Sequence, residues 1–179
     1  MKSALIGGIC LAALAVVPAI AALSIGAKAP DFTTKAALGG KEFSFSLAAA
    51  LKKGPVVLYF FPAAFTPGCT QEAHDFAEAT DQFTALGATV IGVTAGNADR
   101  VTEFSGVECR NKFAVAADPD EKVIKAYDAV LTKKPEWSDR TSYVIAPDDT
   151  ILFTYTNLDP SQHVALTMAA VKKWRDEHK

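Results

Sequence analysis

Hydrophobic positions along the chain fall into three patterns: one long apolar run at the start, short continuous runs in the middle, and stripes at helical spacing between and after them. In the first run Lys2 is the only charge, the apolar core extends from Ala4 to Val17, and Pro18 and Ala19-Ile20-Ala21 close it. That is the pattern of a secretory signal cut before Ala22. Residues 1–21 are therefore read as a leader and 22–179 as a single domain of ordinary size. An uncleaved anchor is the alternative, and Gly7, Gly8 and the small-residue end favour cleavage. Cys10, in mid-core after Ile9, stands too early to be a lipidated first residue.

After the leader the elements alternate. Lys41 to Leu47 follows Gly39-Gly40 and reads as a short strand, and Val56 to Phe61 is a continuous run typical of a strand buried on both faces. A helix from about Pro67 to Leu86 and a second buried strand, Thr89 to Thr94, complete a βαβ unit with parallel strands. A second helix is predicted from Ala98 to about Cys109, then a short strand from Phe113 to Ala117. Asp118-Pro119-Asp120-Glu121 reads as a capped helix start, with Pro119 at the first position and the helix running to about Tyr127. Thr141 to Ala146 and Ile151 to Thr156 flank Pro147-Asp148-Asp149 as an antiparallel hairpin. A last helix, from about Pro160 to His178, carries Val164, Met168, Val171 and Trp174 along one stripe. The expected fold is α/β and thioredoxin-like, a central mixed sheet with helices on both faces.

Composition narrows the function classes. The formal charge is −2, and loss of the leader takes Lys2 and Cys10, leaving −3 and two cysteines. A weakly acidic chain without a Lys/Arg block lacks the electrostatic footprint of a nucleic-acid binder. No apolar run after Ala22 approaches the roughly 18–20 residues of a membrane span, so no membrane association is expected once the leader is cut. The protein is expected to be exported, to a bacterial periplasm.

The chemistry gathers just past the carboxyl end of the first buried strand, where open α/β sheets place their sites. There Pro62-Ala63-Ala64-Phe65-Thr66-Pro67-Gly68-Cys69 leads into the long helix. Thr66 can cap that helix and Pro67 suits its first position, which puts Cys69 in the first turn, where backbone N–H groups favour a thiolate. Cys69, Ala73, Phe76, Thr80 and Phe83 recur at helical spacing, so the thiol faces the sheet. A small core residue would look the same. The turn and the capped position favour a reactive thiol.

Pro62, Thr66 and Cys69 form the Pro-x-x-x-Thr-x-x-Cys pattern of peroxiredoxins, and Thr66-Pro67-Gly68-Cys69-Thr70-x-Glu72 resembles the bacterioferritin-comigratory (PrxQ) subfamily. Arg140-Thr141-Ser142-Tyr143-Val144-Ile145 is similar to the segment with that family's catalytic arginine, and the resemblance extends over Ala22 to Lys179. It implies a thiol-dependent peroxidase that reduces hydrogen peroxide and organic hydroperoxides through a Cys69 sulfenic acid, without cofactor or metal. Thr66 would hydrogen-bond the peroxide, Arg140 would stabilise thiolate and transition state, Pro62 would shield the sulfur, and Glu72 would orient Arg140 or else be a solvated helix charge.

The pattern departs from many members of the subfamily at one place. Their resolving cysteine stands five residues after the peroxidatic one, where this chain has His74. The remaining candidate is Cys109, which some relatives of this type place in the second helix, so the resemblance implies an intramolecular Cys69–Cys109 disulfide with local unwinding to bring the two together. A one-cysteine mechanism with Cys109 idle and an intermolecular bridge stay open. The resemblance suggests a thioredoxin- or glutaredoxin-like reductant and a monomer or weak homodimer. Two other readings compete, a thiol-disulfide oxidoreductase and a metal-handling protein on the same fold. The first wants a second Cys nearby and the second Cys-x-x-x-Cys, yet no Cys lies between Thr70 and Thr80, and position 73 is Ala. His74, His163 and His178 are read as surface residues, and Trp137 and Trp174 as packing or pocket rim.

Overall fold

A computed structural model describes residues 22–178. The expected leader, 1–21, lies outside the described residues. The sheet contains β1 (Thr33–Leu38), β2 (Lys41–Ser46), β3 (Val56–Phe60), β4 (Thr89–Thr94), β5 (Ala114–Ala117), β6 (Thr141–Ile145) and β7 (Ile151–Thr156), ordered β2-β1-β5-β4-β3-β6-β7. β3, β4 and β5 run parallel, and every other neighbouring pair is antiparallel. The helices are α1 (Leu47–Leu51), α2 (Pro67–Ala85), α3 (Val101–Val107), α4 (Lys122–Ala126) and α5 (His163–Glu177).

The continuous apolar run of β3 serves two cores at once. Successive side chains of a strand point to opposite faces. Val57, Tyr59 and Phe61 join the cluster that includes Phe76 and Phe83 of α2, Phe104 of α3 and Met168 and Val171 of α5. Val56, Leu58 and Phe60 join the other, with Leu47 and Leu51 of α1 and Ile124 of α4. This is the mixed thioredoxin-like sheet, covered on both faces.

Four elements differ from the sequence expectation. β1 and α1 escape the hydrophobic pattern, because Thr33–Leu38 has only Ala36 and Ala37 buried and α1 is a single short turn set by Ser46, whose side chain accepts from Ala49 N at 3.2 Å. The second helix is shorter than predicted. Ala98–Arg100 forms a 3-10 turn, α3 ends at Val107, and Cys109 lies beyond it. Pro119 does not open a helix: Asp118-Pro119-Asp120 turns, Glu121 adopts φ 59°, and α4 starts at Lys122. Asp118 still caps it from a distance, its carboxylate accepting from the backbone N–H groups of Lys122, Val123 and Ile124 at 2.8–3.0 Å.

Candidate active site

The loop between β3 and α2 is fixed by the loop after β4. Ala63 bridges Gly96, Ala64 N donates to Gly96 O at 3.2 Å, and Asn97 Nδ2 donates to Ala64 O at 2.8 Å. Pro62 is buried, and its carbonyl accepts from Thr94 Oγ1 at 3.2 Å. Gly96 admits this approach only without a side chain, since a Cβ there would stand 2.3 Å from Pro62 O. Phe65 takes φ 64°, an outlying conformation for so bulky a residue. Its ring is held between the Arg100 guanidinium, 3.9 Å from the ring centroid, and the edge of Phe104.

The turn delivers Thr66 as the N-cap residue of α2 and Pro67 as its first residue. Thr66 does not cap through its side chain. Its hydroxyl donates back to Ala63 O at 3.0 Å, which leaves the oxygen's lone pairs free to accept from another donor. Cys69 follows in the first turn, its N–H donating to Thr66 O at 3.0 Å, and its side chain is buried among the sheet-facing residues of α2.

Strand register brings in the cation. Phe60 of β3 pairs with Thr141 of β6, so Arg140, just before β6, falls beside the loop that follows β3. Arg140 is 3% exposed and its guanidinium makes three contacts: Nη2 donates to Cys69 Sγ at 3.5 Å, Nη1 donates to Glu72 Oε2, and Nε donates to Leu158 O at 2.9 Å. Glu72 is wholly buried, three residues after Cys69 on the same side of α2, and is not a solvated helix charge. Burial raises the Glu72 carboxyl above the ordinary carboxylate range, with the Arg140 cation pulling the other way. Gly68 gives the guanidinium room, because a Cβ there would lie 3.1 Å from Nη2.

The expectation that His163 lies on the surface is wrong. His163 is fully buried at the start of α5. Nε2 pairs with Asn157 O at 2.9 Å, so it carries the proton, and Nδ1 accepts from Ser142 Oγ at 2.8 Å. Burial first, with the nearby Arg140 charge, lowers its pKa to about 4, so the ring is neutral. Nδ1 also stands 3.8 Å from Glu72 Oε1, which has no hydrogen-bond partner among the described residues. His163 thus fixes the 157–158 loop whose next carbonyl holds Arg140. No sequence spacing links residues 142, 157 and 163; only the pairing of β6 with β7 and the docking of α5 bring them together.

His74 is another departure, half-buried with Nε2 at 2.7 Å from Glu108 Oε2. His178 is exposed and stacks on Trp174. Trp137 packs under Lys134 and against Gly96, beside the site loop. Cys109 is buried in the same apolar cluster as Cys69, and both are free thiols. Burial, reinforced by the charge of Glu108, pushes the Cys109 thiol well above its ordinary pKa.

Residues 25–154 match the AhpC/TSA family. The chain is 30% identical over 156 residues to peroxiredoxin Bcp of Bacillus subtilis, covering 84% of this chain and 96% of that protein. It is 31% identical over 147 residues to a chloroplastic peroxiredoxin Q of Oryza sativa subsp. japonica, 82% of this chain and 65% of the plant protein. Among solved structures, the peroxidoxin BcpB of Mycobacterium tuberculosis superposes with a TM-score of 0.74 at 26% identity, over 83% of this chain and 96% of that one. Sequence and fold agree with the thiol and guanidinium at the end of β3, and the chain belongs to the AhpC/TSA family as a peroxiredoxin of the Bcp/PrxQ kind.

Proposed function

We propose that the protein reduces hydrogen peroxide and organic hydroperoxides at Cys69. The observation that carries this reading is the buried Arg140 guanidinium, hydrogen-bonded to Cys69 Sγ at 3.5 Å while anchored by Glu72 and Leu158 O. The Cys69 thiolate attacks the terminal oxygen of the peroxide. An S–O bond forms, the O–O bond breaks, and the alkoxide or hydroxide leaves and is protonated. Arg140 offers a preorganised donor where negative charge moves from sulfur to oxygen, and the free lone pairs of Thr66 accept the peroxide O–H. Pro62 closes the wall of the loop against water. Glu72 holds the guanidinium in its plane.

In this reading Cys109 resolves the sulfenic acid within the same chain, and a thioredoxin- or glutaredoxin-like protein reduces the disulfide. The composition of residues 1–21 supports work outside the cytoplasm, where disulfides persist and the enzyme must be re-reduced. Stopped-flow mixing with one equivalent of hydrogen peroxide tests the first step: rapid consumption is expected, and Cys69→Ser abolishes it. Unchanged consumption in that variant refutes the assignment. Non-reducing mass spectrometry of the product tests the second step. A Cys69–Cys109 linkage in monomers supports resolution, whereas a persistent sulfenic acid supports the one-cysteine reading.

A further inference from the structure

In the resolution reading, on which the inference below rests, Cys109 leaves its fully buried position to reach the Cys69 sulfenic acid. The residues around Cys109 are fastened to α2 in a regular way. His74, Glu78 and Asp81, spaced i, i+4 and i+7, share one face of the helix. They meet every second residue of the segment after α3. His74 Nε2 contacts Glu108 Oε2 at 2.7 Å, Arg110 Nη1 donates to Glu78 Oε1 at 3.3 Å, and Lys112 Nζ donates to Asp81 Oδ2 at 2.9 Å.

The fastened segment is not relaxed. Arg110 and Asn111 take φ 50° and 58°, two consecutive side-chain-bearing residues in the left-handed region. Its backbone contacts are local: Cys109 N donates to Phe104 O at 3.1 Å and Lys112 N to Cys109 O at 2.9 Å. The outward side chains are therefore tied to α2 by two ion pairs and the His74–Glu108 contact while the thiol between them is packed inside. The N–H groups of Glu108, Cys109, Asn111 and Lys112 donate to Phe104 and Ser105 of α3 and to Cys109, not to β4 or β5.

We propose that the His74–Glu108, Glu78–Arg110 and Asp81–Lys112 contacts form a latch that sets the rate at which Cys109 reaches the Cys69 sulfenic acid. Once the latch opens, Cys109 loses its proton and attacks Cys69 Sγ. The S–S bond forms, the S–O bond breaks, and hydroxide leaves and takes up the proton as water. The latch acts on this step alone, because Glu78 and Asp81 lie two to three turns along α2 from Cys69.

Two of the three contacts are solvent-exposed ion pairs, so salt weakens them. The test is the rate of Cys69–Cys109 linkage in the full chain after one equivalent of hydrogen peroxide, quenched at intervals and read by non-reducing mass spectrometry. The double variant Glu78→Gln, Asp81→Asn is expected to form the linkage about threefold to tenfold faster at low ionic strength. At about 1 M sodium chloride the unmodified chain should accelerate toward the variant. Peroxide consumption, read separately by stopped flow, should be the same in both. Equal linkage rates in the two proteins, with equal salt dependence, overturn the latch and leave Cys109 as resolving residue. A chain that consumes peroxide but never forms the linkage overturns the resolution reading and the latch with it.

Discussion

Cys69 and Cys109 are equally hidden, 1% and 0% exposed within one apolar cluster, yet their surroundings are opposite. Cys69 lies in the first turn of a nineteen-residue helix with a guanidinium donor on its sulfur. Cys109 follows the end of a seven-residue helix, has Glu108 as its charged neighbour, and is held as a neutral thiol by burial. Burial by itself says little about a cysteine's reactivity; the sign of the nearby charge and the end of the helix decide it. The contrast also explains an order of events. In the proposed reaction the first thiol would react where it stands, and the second would have to be brought out before it could react.

The contrast depends on a buried charge pair, and removing its anion should have the largest effect. Glu72→Ala leaves the Arg140 cation buried without a carboxylate, and a loss of about 3–5 kcal/mol in folding stability is expected from urea denaturation. Glu72→Gln, which keeps the shape and an acceptor, should lose less than half of that. A loss below about 1 kcal/mol in the Ala variant would mean that Leu158 O and water satisfy the guanidinium alone. Arg140→Met is the converse experiment and gives Cys69 surroundings like those of Cys109. The expected result is a second-order rate with peroxide lower by about 10²–10³, the usual cost of losing a preorganised donor. Without the cation, burial acts unopposed on Glu72 and favours its neutral form, so the variant buries no unpaired charge. A rate within a few-fold of the parent would show that the helix terminus alone activates Cys69.

His163 connects the pair to α5 and gives a pH dependence with a definite sign. Its pKa falls from the usual value near 6.5 to about 4 on folding, so the unfolded chain binds the proton more readily. The stability it contributes is complete above pH 6.5 and is lost as pH falls toward 4, by up to about 3 kcal/mol. Denaturation curves between pH 7 and pH 4 should show this decline, and His163→Gln should flatten it. An equal slope in the variant would place the titration elsewhere.

The parts of this arrangement were unequally legible in the sequence. Strands β3 and β4 were readable because a strand buried on both faces needs a continuous apolar run. β1 was not, since it presents Thr, Lys and Ala and is specified by its pairing with β2 and β5. The stripe Cys69, Ala73, Phe76, Thr80, Phe83 was readable because helical spacing alone predicts its burial, and all five are buried. Glu72 was assigned to Arg140 by resemblance, and a carboxylate next to a sheet-facing stripe has no local signature of its ion pair. His163 and Ser142 were illegible for a different reason. A histidine at a helix start reads as polar surface until the opposing strand supplies a buried hydroxyl and a carbonyl.

A final, smaller change separates the geometry of the Cys69 site from its stability. Gly68 lies in the first turn of α2 without positive φ, so Ala is allowed there by the backbone and should raise helix stability by about 0.5–1 kcal/mol. The added Cβ would meet Arg140 Nη2 at 3.1 Å, and the guanidinium must move by a few tenths of an ångström away from the sulfur. The expected outcome of Gly68→Ala is a protein as stable as the parent or more so, with a peroxide rate lower by about tenfold. Cys109 should keep its own behaviour, since a Cβ at residue 68 would meet Arg140 Nη2 and no atom of Cys109 within 4 Å. If rate and stability rise together, Arg140 has freedom to reseat, and the closeness of guanidinium to thiol in the resting protein is not what makes Cys69 the reactive cysteine.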